Sequence, residues 1–331
     1  MASSESQSLL GSLAGYSSLD ETAHVGTLFH DLQVSTLLSA PDADQQIKDL
    51  ATLISHRGVV FFKNQDISVP QMKELTTKLG ELSGKPESSK LHVHPISEDT
   101  PELPADISVI SSMGGISRAD VRRGTRASNG WHADITFENV PSDYTMLKMH
   151  TVPRIGGDTL WASGYEAYDR LSPAMKRFLE GLTAVHDGSF FLDYAKSSGI
   201  KVQESRGSPE NTGTHLKAVH PVIRTNPVTG FRTLYVNKTF TKRIVELRED
   251  ESDNLLDFLF RHLSENHDLQ VRYRWSSNDL AIWDNRSSFH TATNDYDAPR
   301  GGNRVVSVGE RPFFDPKSRS RREALGLPEL A

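Results

Sequence analysis

The stretch Trp131-His-Ala-Asp-Ile-Thr-Phe137 carries two potential metal ligands, His132 and Asp134, with one residue between them. Alternate side chains of a β-strand share a face, so a strand here would point the imidazole and the carboxylate at one atom. A second imidazole, for which His290 is the candidate, would complete a set of two histidines and one carboxylate. This set suits Fe(II) and leaves positions open for oxygen and an organic ligand. The alternative is a half-exposed histidine beside a surface aspartate.

The composition of the chain limits its fold and its partners. Its 331 residues can bury a large core, in one elaborated domain or in two smaller ones. The formal charge of −6 leaves no basic surplus to neutralise phosphates, which argues against a nucleic-acid or anionic-membrane protein. Cysteine is absent, which fits a reducing compartment, and we predict a cytoplasmic location. No run approaches the roughly 18 apolar residues of a membrane span.

The pattern of the chain predicts one domain between two terminal segments. Residues 1–24 are interpreted as a flexible N-terminal arm, because the start is rich in serine and lacks the basic start and apolar core of a secretory signal. Residues 25–315 are predicted to form the domain. Residues 316–331 are interpreted as a C-terminal tail.

Short apolar runs separated by Gly, Pro, Asn and Ser dominate the domain. The main predicted strands are residues 58–62, 144–150, 159–162, 279–283 and 304–309. The main predicted helices are residues 44–56, 68–82 (with Ser68 as the N-cap) and 250–266. Many short strands with few helices favour a β-sandwich or jelly roll over alternating strands and helices. The predicted fold class is therefore mainly β with flanking helices.

Three further segments are candidates for parts of a binding site or for mobile loops near one. In residues 91–95, Leu-His-Val-His-Pro, alternation puts His92 and His94 on one side, and a substrate-facing role for one of them stays open. Residues 114–130 form a Gly- and Arg-rich loop, and loops of this length are often functional lids. Residues 196–214 are polar and are predicted to be a mobile excursion.

His290 comes just beyond a predicted buried strand, where a sandwich opens at its mouth. Arg300 and Arg304 follow it, the latter at the start of another strand. A guanidinium near an open metal face suits a dicarboxylate cosubstrate, because it binds a carboxylate bidentately and stays charged. Two surface arginines around a Gly-Gly turn are the alternative.

Three motifs occur in a fixed order along the chain. They are Trp131-His-Ala-Asp-Ile-Thr-Phe137, Gly156-Gly-Asp-Thr-Leu-Trp-Ala-Ser163, and Trp283-Asp-Asn-Arg-Ser-Ser-Phe-His290 followed by Asn294-Asp-Tyr296 and the two arginines. Together they resemble the taurine dioxygenase (TauD/TfdA) family of Fe(II)- and 2-oxoglutarate-dependent oxygenases, and the similarity extends from about residue 25 to residue 312. The resemblance implies a double-stranded β-helix, a jelly roll of the cupin type.

The resemblance also implies roles for individual residues. His132, Asp134 and His290 would bind iron, and Thr159 and Arg300 would hold the distal carboxylate of 2-oxoglutarate. Arg304 would bind the anionic group of the substrate, which His94 and the backbone of Ile135 would also contact. Because Gly301-Gly302 can shift the register, Arg304 is also a candidate for binding 2-oxoglutarate.

The implied activity is oxidation of a C–H bond in a small anionic substrate, such as a sulfonate, a sulfate ester, or an amino or carboxylic acid. Succinate and CO2 would be co-products. Hydroxylation would be the default outcome, and desaturation or cyclisation would result if the oxygen atom were not transferred to the substrate carbon. Ser97 and Ser128 replace a tyrosine and an asparagine of the taurine enzymes, so the anion need not be taurine. A zinc-dependent hydrolase and a metal-free β-sandwich binding protein are the alternatives. Relatives commonly associate, so a homo-oligomer is a further expectation.

Overall fold

The computed structural model describes residues 8–97, 103–112 and 126–328. Strands and helices are numbered in chain order within these ranges. The strands are β1 (Ser18–Asp20), β2 (Thr27–Phe29), β3 (Val59–Phe62), β4 (Ser108–Ser111), β5 (Ser142–Thr151), β6 (Thr159–Ser163), β7 (Thr183–Asp187), β8 (Lys217–Pro221), β9 (Ile223–Thr225), β10 (Arg232–Leu234), β11 (Thr241–Ile244), β12 (Gln270–Tyr273), β13 (Leu280–Asp284), β14 (Ser288–Ala292) and β15 (Gly301–Val308). The helices are α1 (Val34–Leu37), α2 (Ala43–Arg57), α3 (Val69–Leu82), α4 (Gly164–Asp169), α5 (Pro173–Leu179), α6 (Phe190–Ser198), α7 (Glu249–Ser264) and α8 (Arg321–Ala324).

A seven-stranded sheet forms the larger half of the fold, in the order β1-β2-β3-β13-β5-β15-β4. Only the β2–β3 pair is parallel among the described strands of this sheet. Every residue of β3 and β13 is buried, because these central strands are covered on both faces. Continuous apolar runs are typical of strands in that position, which explains the Val-Val-Phe-Phe sequence of β3.

A smaller sheet, in the order β12-β6-β14, faces the larger one. The two faces meet through aromatic side chains. The ring centroid of Trp161 in β6 lies 5.2 Å from that of Phe61 and 5.7 Å from that of Trp283 in the larger sheet. This two-sheet arrangement with flanking helices is the predicted jelly roll, and the fold prediction is confirmed.

Helices α2 and α3 cover the outer face of the larger sheet. Ile47 and Leu50 of α2 and Leu75 and Leu79 of α3 join one buried cluster with residues of the sheet. At the start of α3, the side chains and backbones of Ser68 and Gln71 form a capping box. The predicted N-cap is therefore confirmed, and the helical spacing of the apolar residues marked the face that packs.

The N-terminal segment is part of the folded unit. Leu10 and Leu13 belong to the cluster beneath α2, β1 pairs with β2, and Ser12 donates two hydrogen bonds to Asp49. The prediction of a flexible arm over residues 1–24 is therefore wrong for residues 8–24. Its serine-rich composition concealed two leucines spaced three apart, which is the spacing of neighbours on one helical face.

The C-terminal tail also lies against the domain. Arg321 is buried, Ser320 caps α8, and the backbone N–H of Arg322 donates to Asp169.

No helix in the described residues is long and apolar enough to cross a membrane.

Leu13→Ala tests whether the N-terminal segment stabilises the fold. Leu13 is fully buried, so its truncation is expected to lower the free energy of unfolding by about 3 kcal/mol. Urea denaturation measures the difference, with the exposed Leu327→Ala as the control, for which about 0.5 kcal/mol or less is expected. Equal stability of the two variants would contradict a packing role for the segment.

Candidate active site

Backbone pairing places His132 opposite His290. Their residues form an antiparallel bridge in which the N–H of His132 donates to the carbonyl of His290 at 3.0 Å, and the N–H of His290 donates back at 2.8 Å. The two ring centroids lie 4.2 Å apart. His290 belongs to β14, the strand that follows β13. One imidazole is therefore carried by the smaller sheet, and the residue that carries the other is paired directly to that sheet.

Asp134 reaches the same point through a turn. The prediction of a strand over residues 131–137 is wrong, because only His132 makes a β-bridge and residues 134–137 turn back. Ile135 has φ of 52°, and the N–H of Glu138 donates to its carbonyl at 3.0 Å. A β-branched residue in this left-handed region is strained, which is common at functional sites. The ligand pair is therefore arranged by a strained turn, not by strand alternation.

Potential ligand atoms of His132, Asp134 and His290 all lie within 4.8 Å of one another. Nε2 of His132 is 3.8 Å and Nε2 of His290 is 3.9 Å from Oδ1 of Asp134. Two bonds of about 2 Å at right angles place ligand atoms about 3 Å apart, which is about 1 Å closer than these two distances. Small side-chain movements supply that difference, so the residues present fit one metal ion.

Neighbouring groups orient the first two candidate ligands. Nδ1 of His132 donates to the carbonyl of Gly130 at 2.7 Å, which leaves the lone pair of Nε2 free for a metal. Thr145 donates its hydroxyl to Oδ2 of Asp134 at 2.9 Å, and the N–H of Asp134 donates to Asn285 at 2.9 Å. Sequence reasoning missed Thr145 and Asn285, because a hydroxyl and an amide carry no local pattern of their own.

The charges around Asp134 keep it ionised. Burial acts to raise its pKa, but the guanidinium of Arg304, 2.7 Å from Oδ1, and the two imidazoles hold the pKa well below its usual range. Burial and the neighbouring His132 lower the pKa of His290. A neutral imidazole and a carboxylate are the forms that bind a metal.

Arg300 and Thr159 form a second polar group in the same cavity. Arg300 is only 6% exposed; its Nε donates to the carbonyl of Gly157 at 2.9 Å and its Nη2 contacts the hydroxyl of Thr159 at 3.3 Å. Trp275 donates its indole N–H to the same hydroxyl at 2.9 Å. Arg300 makes no ion pair with any carboxylate in the described parts of the chain, and burial lowers its pKa. A buried cation without a counter-charge is costly unless a ligand supplies one.

His94 lies in the cavity wall, whereas His92 turns away into a buried network. Oε1 of Glu138 lies 3.3 Å from Nε2 of His92, and both oxygens of Glu138 accept from Arg206, at 2.5 and 3.0 Å. Arg206 is fully buried, so the prediction of a mobile excursion over residues 196–214 is wrong at this point. An ion pair between residues 68 positions apart leaves no trace in the local sequence.

One cavity of about 630 Å³ joins these groups. The residues named for a site in the sequence that line it are His94, His132, Asp134, Ile135, Thr159, His290, Arg300 and Arg304. Arg126, at the end of the predicted lid loop, also lines it, and residues 114–125 of that loop lie outside the described residues. Of the residues that the sequence singled out for the site, the structure therefore brings together all but His92.

Comparison with known proteins identifies the family. The model of the taurine catabolism dioxygenase TauD, TfdA family matches residues 22–308. The chain belongs to this family. It is 43% identical to the alpha-ketoglutarate-dependent dioxygenase btcD of Neocamarosporium betae, covering 95% of this chain and 96% of that protein. It is also 34% identical to an alpha-ketoglutarate-dependent sulfonate dioxygenase of Saccharomyces cerevisiae, covering 89% and 68% of the two chains.

A solved structure agrees with this assignment. The crystal structure of a taurine dioxygenase from Burkholderia xenovorans superposes with a TM-score of 0.69 at 26% identity, covering 92% of this chain and 94% of that one. The predicted family and the predicted enzyme class, a 2-oxoglutarate-dependent dioxygenase, are confirmed. Both alternatives, a zinc-dependent hydrolase and a metal-free binding protein, are disfavoured by this membership.

Arg206→Met tests the buried pair behind the cavity. Burial acts to raise the pKa of Glu138, but hydrogen bonds from His92 and Arg206 hold it below its ordinary value. The pair therefore stabilises the protein at neutral pH, and this contribution is lost as the pH falls through the folded-state pKa. Removing Arg206 leaves the buried carboxylate of Glu138 without its cationic partner, so we expect the free energy of unfolding at pH 7 to fall by about 3–5 kcal/mol.

The same variant has a second signature in its pH dependence. Without Arg206, burial dominates and raises the pKa of Glu138, so the loss is expected to shrink as acid protonates the carboxyl. Urea denaturation at neutral and acidic pH measures both quantities. The double variant Arg206→Met/Glu138→Gln is the control, and it is expected to lose less at neutral pH than Arg206→Met alone. A loss independent of pH would contradict the assigned charge pairing.

Proposed function

We propose that the enzyme binds Fe(II) through His132, Asp134 and His290 and oxidises a C–H bond of a small organic anion held at Arg304. In this proposal, Arg300 and Thr159 bind the distal carboxylate of 2-oxoglutarate. The observation that carries the proposal is the buried guanidinium of Arg300, which lines the same cavity as the three ligands and has no carboxylate partner in the described residues. A dicarboxylate that chelates the metal at one end supplies the missing charge at the other.

The donor set favours iron. Two imidazoles and one carboxylate on one face of an ion leave several positions free, and this is the arrangement of non-haem Fe(II) oxygenases. When bound, the ion supplies the activation of O2 that couples decarboxylation of 2-oxoglutarate to succinate with oxidation of the substrate. The protein contributes the orientation of both organic molecules and a cavity that limits the access of water.

Arg304 is placed to hold the anionic end of the substrate. Its Nη1 donates to Asp134, while its Nε is buried and has no hydrogen-bond partner in the described residues. An unsatisfied buried donor is costly, and an anionic oxygen beside it would remove that cost. The substrate anion would then lie next to the metal, which brings its neighbouring C–H bonds within reach.

Two neutral donors supplement Arg304. The N–H of Ile135 has no acceptor among the described residues, and Ile135 lines the cavity. Burial lowers the pKa of His94 well below its ordinary value, and the N–H of Ile96 approaches its Nδ1 at 3.4 Å. The single proton of the neutral ring is therefore assigned to Nε2, which makes His94 a donor toward an anion.

Hydroxylation is the default outcome of this arrangement, with desaturation or cyclisation as the other outcomes of the same first oxidation step. The sulfonate dioxygenase relative supports a sulfonate as one substrate class. A cytoplasmic location, a homo-oligomeric state and the absence of nucleic-acid and membrane partners stay predictions.

Asp134→Ala tests the metal site. Under anaerobic conditions, Fe(II) and 2-oxoglutarate are expected to give a visible charge-transfer band in the wild-type protein and none in the variant, because one of three ligands is lost. Asp253→Ala is the control and should keep the band, because Asp253 is exposed on α7 and does not line the cavity. Metal-dependent cleavage of esters without 2-oxoglutarate would instead support a hydrolase.

Arg300→Gln and Arg304→Gln separate the two arginines. Loss of a charged hydrogen bond costs about 1.5–3 kcal/mol, so Arg300→Gln is expected to raise the KM for 2-oxoglutarate about tenfold to a hundredfold. Arg304→Gln should instead raise the KM for the substrate and leave that for 2-oxoglutarate nearly unchanged. Succinate release measures both constants. The opposite pattern would exchange the two roles.

A further inference from the structure

The cavity wall is strongly basic, although the chain as a whole carries a net charge of −6. Asp134 is the only acidic residue that lines the cavity among the described residues. The basic side chains in the wall are Arg126, Lys238, Lys242, Arg300 and Arg304. A cleft of one sign concentrates ligands of the other sign, even when the rest of the surface opposes them.

The proposed reaction, on which this inference rests, uses only part of that charge. Asp134 and the two carboxylates of 2-oxoglutarate offset the ferrous ion and Arg300. One acidic group of the substrate offsets Arg304. The reaction supplies no counter-charge for Arg126 and Lys238.

Arg126 and Lys238 stand on segments tied to the metal site. Arg126 precedes the short 3-10 helix Ala127–Gly130, whose last carbonyl accepts from His132. Lys238 precedes Thr239, whose hydroxyl donates to the carbonyl of Trp131 at 3.2 Å. Neither cation has an ion-pair partner in the described parts of the chain. Both residues are exposed and line the cavity, so their side chains can contact an anion that enters it.

Aromatic rings form the wall beside these cations. The ring centroid of Phe240 lies 5.9 Å from that of His132, 5.1 Å from that of Phe137 and 6.0 Å from that of Phe190. Phe191 joins the same wall, 4.6 Å from the ring of His94. Aromatic rings therefore form part of the cavity wall next to the metal ligands, and Phe240 lies two residues beyond Lys238 in the chain.

We propose that the substrate is an organic dianion with an apolar or aromatic body between its two acidic groups. One acidic group binds at Arg304 beside the metal, and the body packs against Phe137, Phe190, Phe191 and Phe240. The second acidic group faces Lys238 and Arg126. A cavity of about 630 Å³ has room for such a molecule beside 2-oxoglutarate.

Matched probe pairs test the second acidic group. The rigid pair is benzylsulfonate and 4-(sulfomethyl)benzoate, in which a carboxylate replaces a ring hydrogen. The flexible pair is hexane-1-sulfonate and 6-sulfohexanoate, in which a carboxylate replaces the terminal methyl group. Calorimetry on the anaerobic protein loaded with Fe(II) and 2-oxoglutarate measures their affinities. In at least one pair the dianion is expected to bind about fivefold more tightly at low salt, and added salt should reduce this advantage.

Lys238→Glu provides the decisive variant. It should abolish or reverse the preference for the dianion, while the affinity for the sulfonate without the carboxylate changes little. Lys48→Glu is the control, because Lys48 is exposed on α2, away from the cavity, and the charge change is identical. An equal affinity within both pairs, an unchanged ratio in Lys238→Glu, or failure of every probe to bind would each overturn the inference.

Succinate release in air distinguishes this inference from the proposed function. If the sulfonates without a carboxylate promote succinate release as efficiently as the dianions, the enzyme oxidises organic anions but the second acidic group is not recognised. If the dianions bind with a preference that depends on Lys238 and none promotes succinate release, the dianion site is supported and the assigned chemistry is not.

Discussion

The backbone bridge between His132 and His290 is the contact on which the site depends. It ties the segment between the 3-10 helix Ala127–Gly130 and the turn at Asp134 to a strand of the smaller sheet, and it brings the two imidazole ring centroids within 4.2 Å of each other. The third candidate ligand, Asp134, follows from the same bridge, because the chain turns immediately after it. The hydroxyl of Thr145 in the larger sheet donates to the carboxylate of Asp134, and the backbone N–H of Asp134 donates to Asn285, which directly follows β13. Both sheets of the jelly roll must be in place before the three groups meet.

The site contains buried charged and polar groups that reduce the stability of the ligand-free protein. Arg300 and part of Arg304 are buried with unsatisfied charge or donors, and Ile135 adopts a strained backbone conformation. Such groups lower the stability of the free protein, and a matching anion recovers that cost on binding. The rest of the fold must supply enough packing to tolerate them. The fully buried strands β3 and β13, with the aromatic contacts between the sheets, provide that packing.

Several elements could be predicted from local pattern alone. The apolar spacing of α2 and α7, the N-cap Ser68 and the buried strand β3 each depend on neighbouring residues, and the structure has all of them. Local pattern failed where a long-range contact decides. Leu10 and Leu13 looked like part of a disordered arm, and residues 131–137 looked like a strand, because neither burial under α2 nor the left-handed turn at Ile135 is encoded in a short window.

The sequence by itself determined the chemistry that is available: two histidines and an aspartate that suit a metal, arginines that suit carboxylates, and a chain without cysteine. Residue type fixes charge, donor atoms and side-chain length, and these do not depend on the fold. The tertiary structure alone decided which of these groups meet, through the His132–His290 bridge, and which are buried, as for Arg206 and Glu138. Distances between residues far apart in the chain are set by sheet topology and backbone torsion angles, which no local stretch of sequence contains.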